Sequence, residues 1–300
     1  MHALAPAADT STLIAAGTST LTGDRPAPSV VTDAYARLTE VYPDLSVIEL
    51  GPGEPAPRGA GWVGVAGLAA GGSDLDAFLA WDEAQVIEDY GQRARPNVVA
   101  SFGLHRYAWP ACLLITVPWF LQRRVPRFPV EHVTFQRTLG RLAVRTGEFA
   151  CLPDDPAATL PGARVVPDEE ALRAEVRAAV AEHLEPVLGG FGPRMRRRGR
   201  ALWGMATDEI VESLWYIAGL LGEERRAMDE LRLLLPGTTG PYAGSAAFRE
   251  LTGEDGQPLA TRDRVSCCLF YTLRPEDTCA TCPRTCDADR LTKLSVAAAS

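Results

Sequence analysis

The sequence predicts an α+β protein that is predominantly helical, with a multihelical body, a small sheet and a small C-terminal module held together by cysteines. Three observations predict this class. Apolar residues recur at helical spacing through most of residues 30–235, most regularly as Leu202, Trp203, Ala206, Ile210, Val211, Leu214, Trp215, Ala218 and Leu221. Two short runs rich in β-branched and aromatic residues, 130–136 and 142–146, lie either side of Gly140 and read as strands. From Gln257 onward the chain is turn-rich, with Val265, Leu269, Phe270, Tyr271 and Leu273 as its only apolar anchors. So small a segment needs a staple other than its own core. The expected division is therefore an N-terminal arm at 1–28, a helical body at 29–256 and a module at 257–300.

Bulk properties narrow the function classes. A net charge of −8 argues against a nucleic-acid partner and against general adhesion to anionic lipid. The longest apolar run, Ala111 to Leu121, holds eleven residues, whereas a bilayer takes about 20, so no transmembrane segment is expected. The first basic residue after the initiator is Arg25, and the early apolar run Leu13 to Ala16 is too short for a signal peptide. These features predict a cytoplasmic protein, with peripheral attachment to the inner face of the membrane left open. Seven cysteines, an odd number, favour a metal or redox site over a disulfide framework there.

Taken in order, the arm at 1–28 is Ala, Thr, Ser, Gly and Pro without a period, which predicts a flexible segment. Val30, Val31, Ala34, Tyr35, Leu38 and Val41 then give a helix that Pro43 ends, and Leu45 to Leu50 alternates weakly as a strand would. Gly51 to Gly72 has neither the Lys-Ser/Thr pair of a phosphate loop nor dinucleotide spacing, so it reads as a structural loop that tucks Trp62 inward. Ser73 reads as the cap of a helix with Leu75, Phe78, Leu79, Val86 and Tyr90 on its inner face. Pro96 opens an apolar segment and Pro110 interrupts it, predicting two buried helices around a proline break. Cys112 and His105 within them read as core residues. His132 and Cys151 lack a second ligand at metal-like spacing and read as structural.

After a Pro/Ala loop at 154–167, acids at 168–170 start a long helix with Leu172, Val176, Val180, Leu184, Val187 and Leu188 inside, ended by Gly189-Gly190. Then come Arg194, Arg196, Arg197, Arg198 and Arg200, five arginines in seven residues of an acidic chain. They are either a solvated helix start or a site for an anion or an acidic partner. Trp203 follows them directly and is the aromatic residue best placed to touch a bound chelate. A further helix, 223–235, precedes a loop-rich connection at 237–256.

The cysteines carry the sharpest signal. Cys267 and Cys268 are adjacent, ten residues separate them from Cys279, and two more separate Cys279 from Cys282; Cys286 follows. Zinc knuckles use spaced pairs on both sides, and a disulfide between neighbours is strained. An iron-sulfur cluster tolerates less regular spacing because two irons share the four thiolates, so spacing ranks it ahead of zinc while leaving zinc open.

The segment Arg264-Val265-Ser266-Cys267-Cys268-Leu269-Phe270-Tyr271, followed by Cys279-Ala280-Thr281-Cys282-Pro283, resembles the C-terminal signature of the FhuF-like ferric-siderophore reductases, Cys-Cys-x10-Cys-x2-Cys. The segment Arg200-Ala201-Leu202-Trp203-Gly204 before a long helix resembles the body of that family more weakly. The resemblance implies a small C-terminal iron-sulfur module in which Cys267, Cys268, Cys279 and Cys282 hold a 2Fe-2S cluster; Cys286 departs from the pattern. It implies one-electron transfer from a cytoplasmic donor, such as a ferredoxin or flavoprotein reductase, to Fe(III) in a ferric siderophore, hydroxamate type favoured. The alternative is a non-catalytic siderophore-binding or scaffold protein with a structural four-cysteine zinc site. Arg264, Arg274, Arg284 and Arg290 surround the cysteines and are candidates for tuning the cluster's charge.

Overall fold

The computed structural model describes residues 28–59 and 61–298, and the arm expected at 1–28 lies, apart from Pro28, outside them. Its elements are α1 (Thr32–Val41), β1 (Ser46–Glu49), β2 (Trp62–Gly64), α2 (Val65–Ala70), α3 (Ser73–Tyr90), α4 (Pro96–Gln122), β3 (Val125–Pro126), β4 (Val133–Gln136), β5 (Arg141–Val144), β6 (Phe149–Cys151) and β7 (Ala163–Val165). After these come α5 (Glu169–Met195), α6 (Arg200–Leu220), α7 (Glu224–Leu234), the hairpin β8 (Phe248–Thr252) and β9 (Pro258–Arg262), and α8 (Asp287–Ala298). The fold is the predominantly helical α+β class that the sequence predicts.

The core is organised around α4, which packs against α1, α3, α5 and α6. Its side chains from Val98 to Phe120 are almost all buried, Leu113 and Trp119 completely so, and each large apolar side chain removed from water contributes about 1.5–3 kcal/mol. The expected break at Pro110 is absent: one helix runs through both Pro110 and Pro118. A proline lacks the N–H that would reach the carbonyl four residues back. For Pro118 that carbonyl belongs to Leu114, and the Tyr35 hydroxyl of α1 donates to it at 2.8 Å. A side chain from a neighbouring helix thus satisfies what the proline leaves open. Continuous, α4 is long and apolar enough to cross a membrane by length and composition, but most of it is buried inside this fold.

A second correction concerns Gly189-Gly190, which does not end α5; the helix continues to Met195 and closes at Arg196 in the left-handed region. Gly190 is a close-approach site instead. A Cβ there would stand 2.4 Å from the carbonyl oxygen of Leu68 and 2.8 Å from that of Ala69, so its bare backbone lets α2 lie directly on α5. The stretch 51–72, expected as a loop, contains β2 and α2. Ser73 is the first residue of α3 rather than its cap, a place taken by Gly72 without a side-chain hydrogen bond.

The main sheet runs β1-β5-β4-β2, with β1 parallel to β5 and the other pairs antiparallel. β4 and β5 are the two strands expected around Gly140. That glycine takes φ 56° with its Cα against the Asp44 carbonyl, where a Cβ would be only 1.8 Å away. β3, β6 and β7 form a second small sheet, and β8 and β9 a two-stranded hairpin.

Candidate functional site

The hairpin delivers the cysteines. β9 ends at Arg262, paired across to Phe248, and the chain then runs through Asp263, Arg264, Val265 and Ser266 to Cys267. α6 grips this approach with one fully buried acid. Asp208 accepts hydrogen bonds from the Val265 N–H (3.0 Å), the Ser266 N–H (2.7 Å), the Ser266 hydroxyl (2.6 Å) and the Arg262 guanidinium (2.8 Å). Arg262 is equally buried and also donates to Glu212 and to the Ala246 carbonyl. Charge-assisted bonds of this kind are stronger than neutral ones, and together they fix the backbone just before the first thiol. Two glycines leave room for the intervening side chain: a Cβ on Gly204 or Gly244 would meet Val265 at 3.0 or 2.4 Å. Gly204 belongs to the Arg200–Gly204 segment singled out in the sequence.

Other elements hold the vicinal cysteines from further sides. The Ser101 hydroxyl of α4 donates to the Cys268 carbonyl at 3.0 Å, and Arg197 donates to the Cys267 carbonyl at 2.8 Å. Gln92 donates to the Leu273 carbonyl at 2.8 Å. Leu269, Phe270 and Leu273 join Val86, Val98, Val99 and Phe102 in a small apolar cluster on α3 and α4. Phe270 meets Tyr90 edge-on, with ring centroids 5.7 Å apart. The cysteine segment, which has few apolar residues, borrows this core.

All seven cysteines are free thiols. Cys267, Cys268 and Cys279 are half-buried, Cys282 is buried and Cys286 is exposed. Among the described residues no three Cys, His, Asp or Glu side chains gather as the ligands of one ion. The four thiols of the motif stand as two pairs, Cys267 beside Cys268 and Cys279 hydrogen-bonded to Cys282. The shared bond holds Cys282 down to about 6, helped by the Arg284 N–H, and the same bond together with burial pushes Cys279 up. Burial raises Cys268, against the pull of Arg264 and the Phe270 N–H. The thiols feel one another's charge, Cys282 through Cys267 and Cys268, and Cys268 through Cys279 and Cys267.

This donor set fits a two-iron cluster, which needs two thiolates at each iron. Backbone amides already face the sulfurs: Leu269 N–H lies 3.4 Å from Cys267 Sγ and Arg284 N–H 3.4 Å from Cys282 Sγ. Such donors stabilise anionic sulfur. Arg264 adds a half-buried cation whose Nε is buried without a hydrogen-bond partner. Burial opposes its charge, but Asp208, Glu212, Cys268 and Glu209 outweigh that and keep it firmly protonated.

The structure sorts the remaining arginines. Arg290 is buried and donates to the Cys282 and Thr285 carbonyls and to Asp263, which makes it scaffold for the second pair. Arg274 lies over the Tyr90 ring at 5.8 Å, and Arg284 over Tyr271 at 3.9 Å. In the run 194–200, Arg197 reaches the cysteine loop. Arg194 pairs with Asp76 at 2.7 Å, and Arg196, Arg198 and Arg200 are exposed. Trp203 is half-buried edge-on against Tyr242.

Cys112 and Cys151 are buried away from the quartet, with burial pushing both thiols up, and His132 is exposed. His105 pairs through Nδ1 with Glu209, while its Nε2 is buried without a partner, so it is only half satisfied as a core residue. Sequence reasoning missed Asp208, Arg262 and Ser101. The available signal was Asp208, Glu209 and Glu212 on an otherwise apolar helix, since acids are buried only when paired.

No curated protein is significantly similar to the chain. Residues 264–284 match the model of the FhuF 2Fe-2S C-terminal domain, a span that starts at Arg264 and takes in all four cysteines of the motif. The matched domain is a 2Fe-2S domain, and the chain is accordingly an iron-sulfur protein with a 2Fe-2S cluster as its cofactor.

Proposed function

We propose that the protein is a ferric-siderophore reductase in which Cys267, Cys268, Cys279 and Cys282 ligate the 2Fe-2S cluster. The observation that carries this reading is that those four cysteines lie inside the matched domain, on a segment pinned by α4, by α6 and by Arg197 of the α5–α6 connection. When bound, such a centre supplies single electrons. The substrate, Fe(III) in a hydroxamate-type chelate, gains one electron and becomes Fe(II), a softer and less charged ion that oxygen ligands hold less tightly. The electron comes from a ferredoxin or flavoprotein reductase. Exposed Arg196, Arg198 and Arg200, beside the residue that bonds the Cys267 carbonyl, would steer an acidic donor. Arg264 offsets negative charge among the sulfurs, and the amides of Leu269 and Arg284 hold the thiolates in place. The seven free thiols suit a reducing compartment, which supports a cytoplasmic site of action.

The test is a visible spectrum of anaerobically purified protein before and after dithionite, and again after a ferric trihydroxamate is added. Red-brown protein that bleaches and then recovers its colour, with Fe(II) appearing in equal amount, is expected. Protein that holds iron and bleaches but is never reoxidised by any ferric chelate would overturn the reductase reading.

A further inference from the structure

A cleft of about 540 Å³, within the roughly 300–1,000 Å³ of small-molecule sites, is lined by residues that neighbour the cysteines in the chain. One wall is the cysteine segment itself: Tyr271, three residues after Cys268; Thr278, just before Cys279; and Arg284, whose N–H faces Cys282 Sγ. The opposing residues are Asp289, Thr292 and Lys293 of α8. The backbone that carries the sulfurs therefore also forms the wall of the cleft. Any molecule seated there stands within a few residues of both thiol pairs.

We infer that this cleft, rather than the Arg194–Arg200 run and Trp203, seats the ferric chelate. The inference rests on the reductase reading above. Arg284 and Lys293 are offset by Glu276 and Asp289, so the lining carries no net formal charge. Lys293, Glu276 and Asp289 have no ion-pair or hydrogen-bond partner among the described residues, which leaves donors and acceptors available to a ligand. The Arg284 guanidinium lies over the Tyr271 ring, 3.9 Å from its centroid, and makes a polar platform with an apolar underside. This lining suits an uncharged chelate that displays amide and carbonyl groups around its metal. It gives no compensation to one carrying several negative charges. The arginine run differs in kind: its exposed members are all cationic, and Trp203 is committed to Tyr242.

Lys293 is the single lysine of the chain, which makes the test site-specific. The cluster-loaded protein is treated with an amine-reactive ester, with and without the redox-inert gallium(III) complex of a trihydroxamate, and acylation at Lys293 is followed by mass spectrometry. The complex is expected to slow that acylation at least fivefold, and Thr292→Trp, which fills the cleft, is expected to abolish the protection with the visible spectrum unchanged. With the ferric complex, Thr292→Trp and Lys293→Glu should each raise the half-saturating concentration for reoxidation about tenfold. No protection of Lys293 would overturn the inference, as would half-saturation within twofold of wild type in both variants. If gallium chelate protects Lys293 but the ferric chelate never reoxidises wild-type protein, the cleft stands as the binding site and the reductase reading falls.

Discussion

Asp208 is the point at which the cysteine loop is most exposed to a single change. Asn at this position keeps the volume but removes the charge, and it turns one acceptor into a donor facing two amides and a guanidinium, which only donate, and a hydroxyl that donates in the native arrangement. Both Asp208 and Arg262 are fully buried, and removing one partner of a buried pair costs about 3–5 kcal/mol. Every lost bond ends on residues 262–266, so the cost falls on local opening of the loop more than on global unfolding. At about 1.4 kcal/mol per tenfold, the open population of the loop rises by roughly a hundredfold to a few thousandfold. The assay is the rate at which visible absorbance bleaches in excess Fe(II) chelator, run beside far-ultraviolet melting of the helices. Asp208→Asn should lose its cluster at least a hundredfold faster than wild type, with a much smaller change in helical melting. Bleaching within threefold of wild type would show that the loop is held by something else.

Four further outcomes are expected. Serine at Cys268 should abolish or sharply alter the visible spectrum and serine at Cys112 should leave it intact; equal effects would break the ligand assignment. Tyr35→Phe strands the buried Leu114 carbonyl next to Pro118 and should cost about 1–3 kcal/mol by urea unfolding, whereas an unchanged midpoint would mean that the carbonyl needs no partner. Adjacent glycines should respond with opposite signs: Gly189→Ala meets nothing within 4 Å and should gain up to about 1 kcal/mol of helix propensity, while Gly190→Ala drives a Cβ into the α2 backbone and should lower the thermal midpoint. His183 is buried, donates from Nδ1 to the Phe128 carbonyl and accepts at Nε2 from Tyr107, and burial holds its pKa below the ordinary 6.5. The unfolded chain therefore takes up the proton first, so this group's contribution to stability is full above about pH 6.5 and is lost as pH falls below it. The urea midpoint should drop on acidification through that range and drop less in His183→Gln.

What the sequence makes legible is whatever is periodic or locally spaced. The apolar repeat of α6 and the strands around Gly140 are patterns within one stretch of chain and reappear as expected, and the cysteine spacing falls inside the matched span 264–284. What it hides depends on distant partners. Pro110 reads as a break although α4 runs through it and Pro118, and for Pro118 the Tyr35 hydroxyl that donates to the freed carbonyl lies 79 positions from it in sequence. Gly189-Gly190 reads as a stop because nothing nearby in sequence announces that α2 will press against Gly190. The arginine run is conspicuous in composition, yet only Arg197 of its five members reaches the cysteine loop, since a guanidinium's role is set by the carbonyl or carboxylate it finds. Asp208 is the converse case, an acid in a largely apolar helix whose bonding partners Arg262, Val265 and Ser266 all lie beyond position 260.

That placement answers a physical problem. An iron-sulfur site concentrates thiolate charge, and burying net negative charge is costly unless cations and amide dipoles share the space. Yet α6 brings more acid toward the site: Asp208, Glu209 and Glu212. Each has a partner within the fold: the cationic Arg262 for Asp208 and Glu212, Arg264 near Asp208, and the His105 imidazole against Glu209. The acids are therefore spent on orienting the basic groups and the Ser266 amide rather than on repelling the sulfurs. Arg264 shows the result: it is held charged by Asp208 and Glu212 on one side and acts on Cys268 and Cys279 on the other. A cation fixed in this way offsets thiolate charge without the freedom to swing into solvent. A surface arginine such as Arg196 or Arg198 has no comparable constraint, so the charges that set the environment of the sulfurs come from the buried face of α6 and the end of β9.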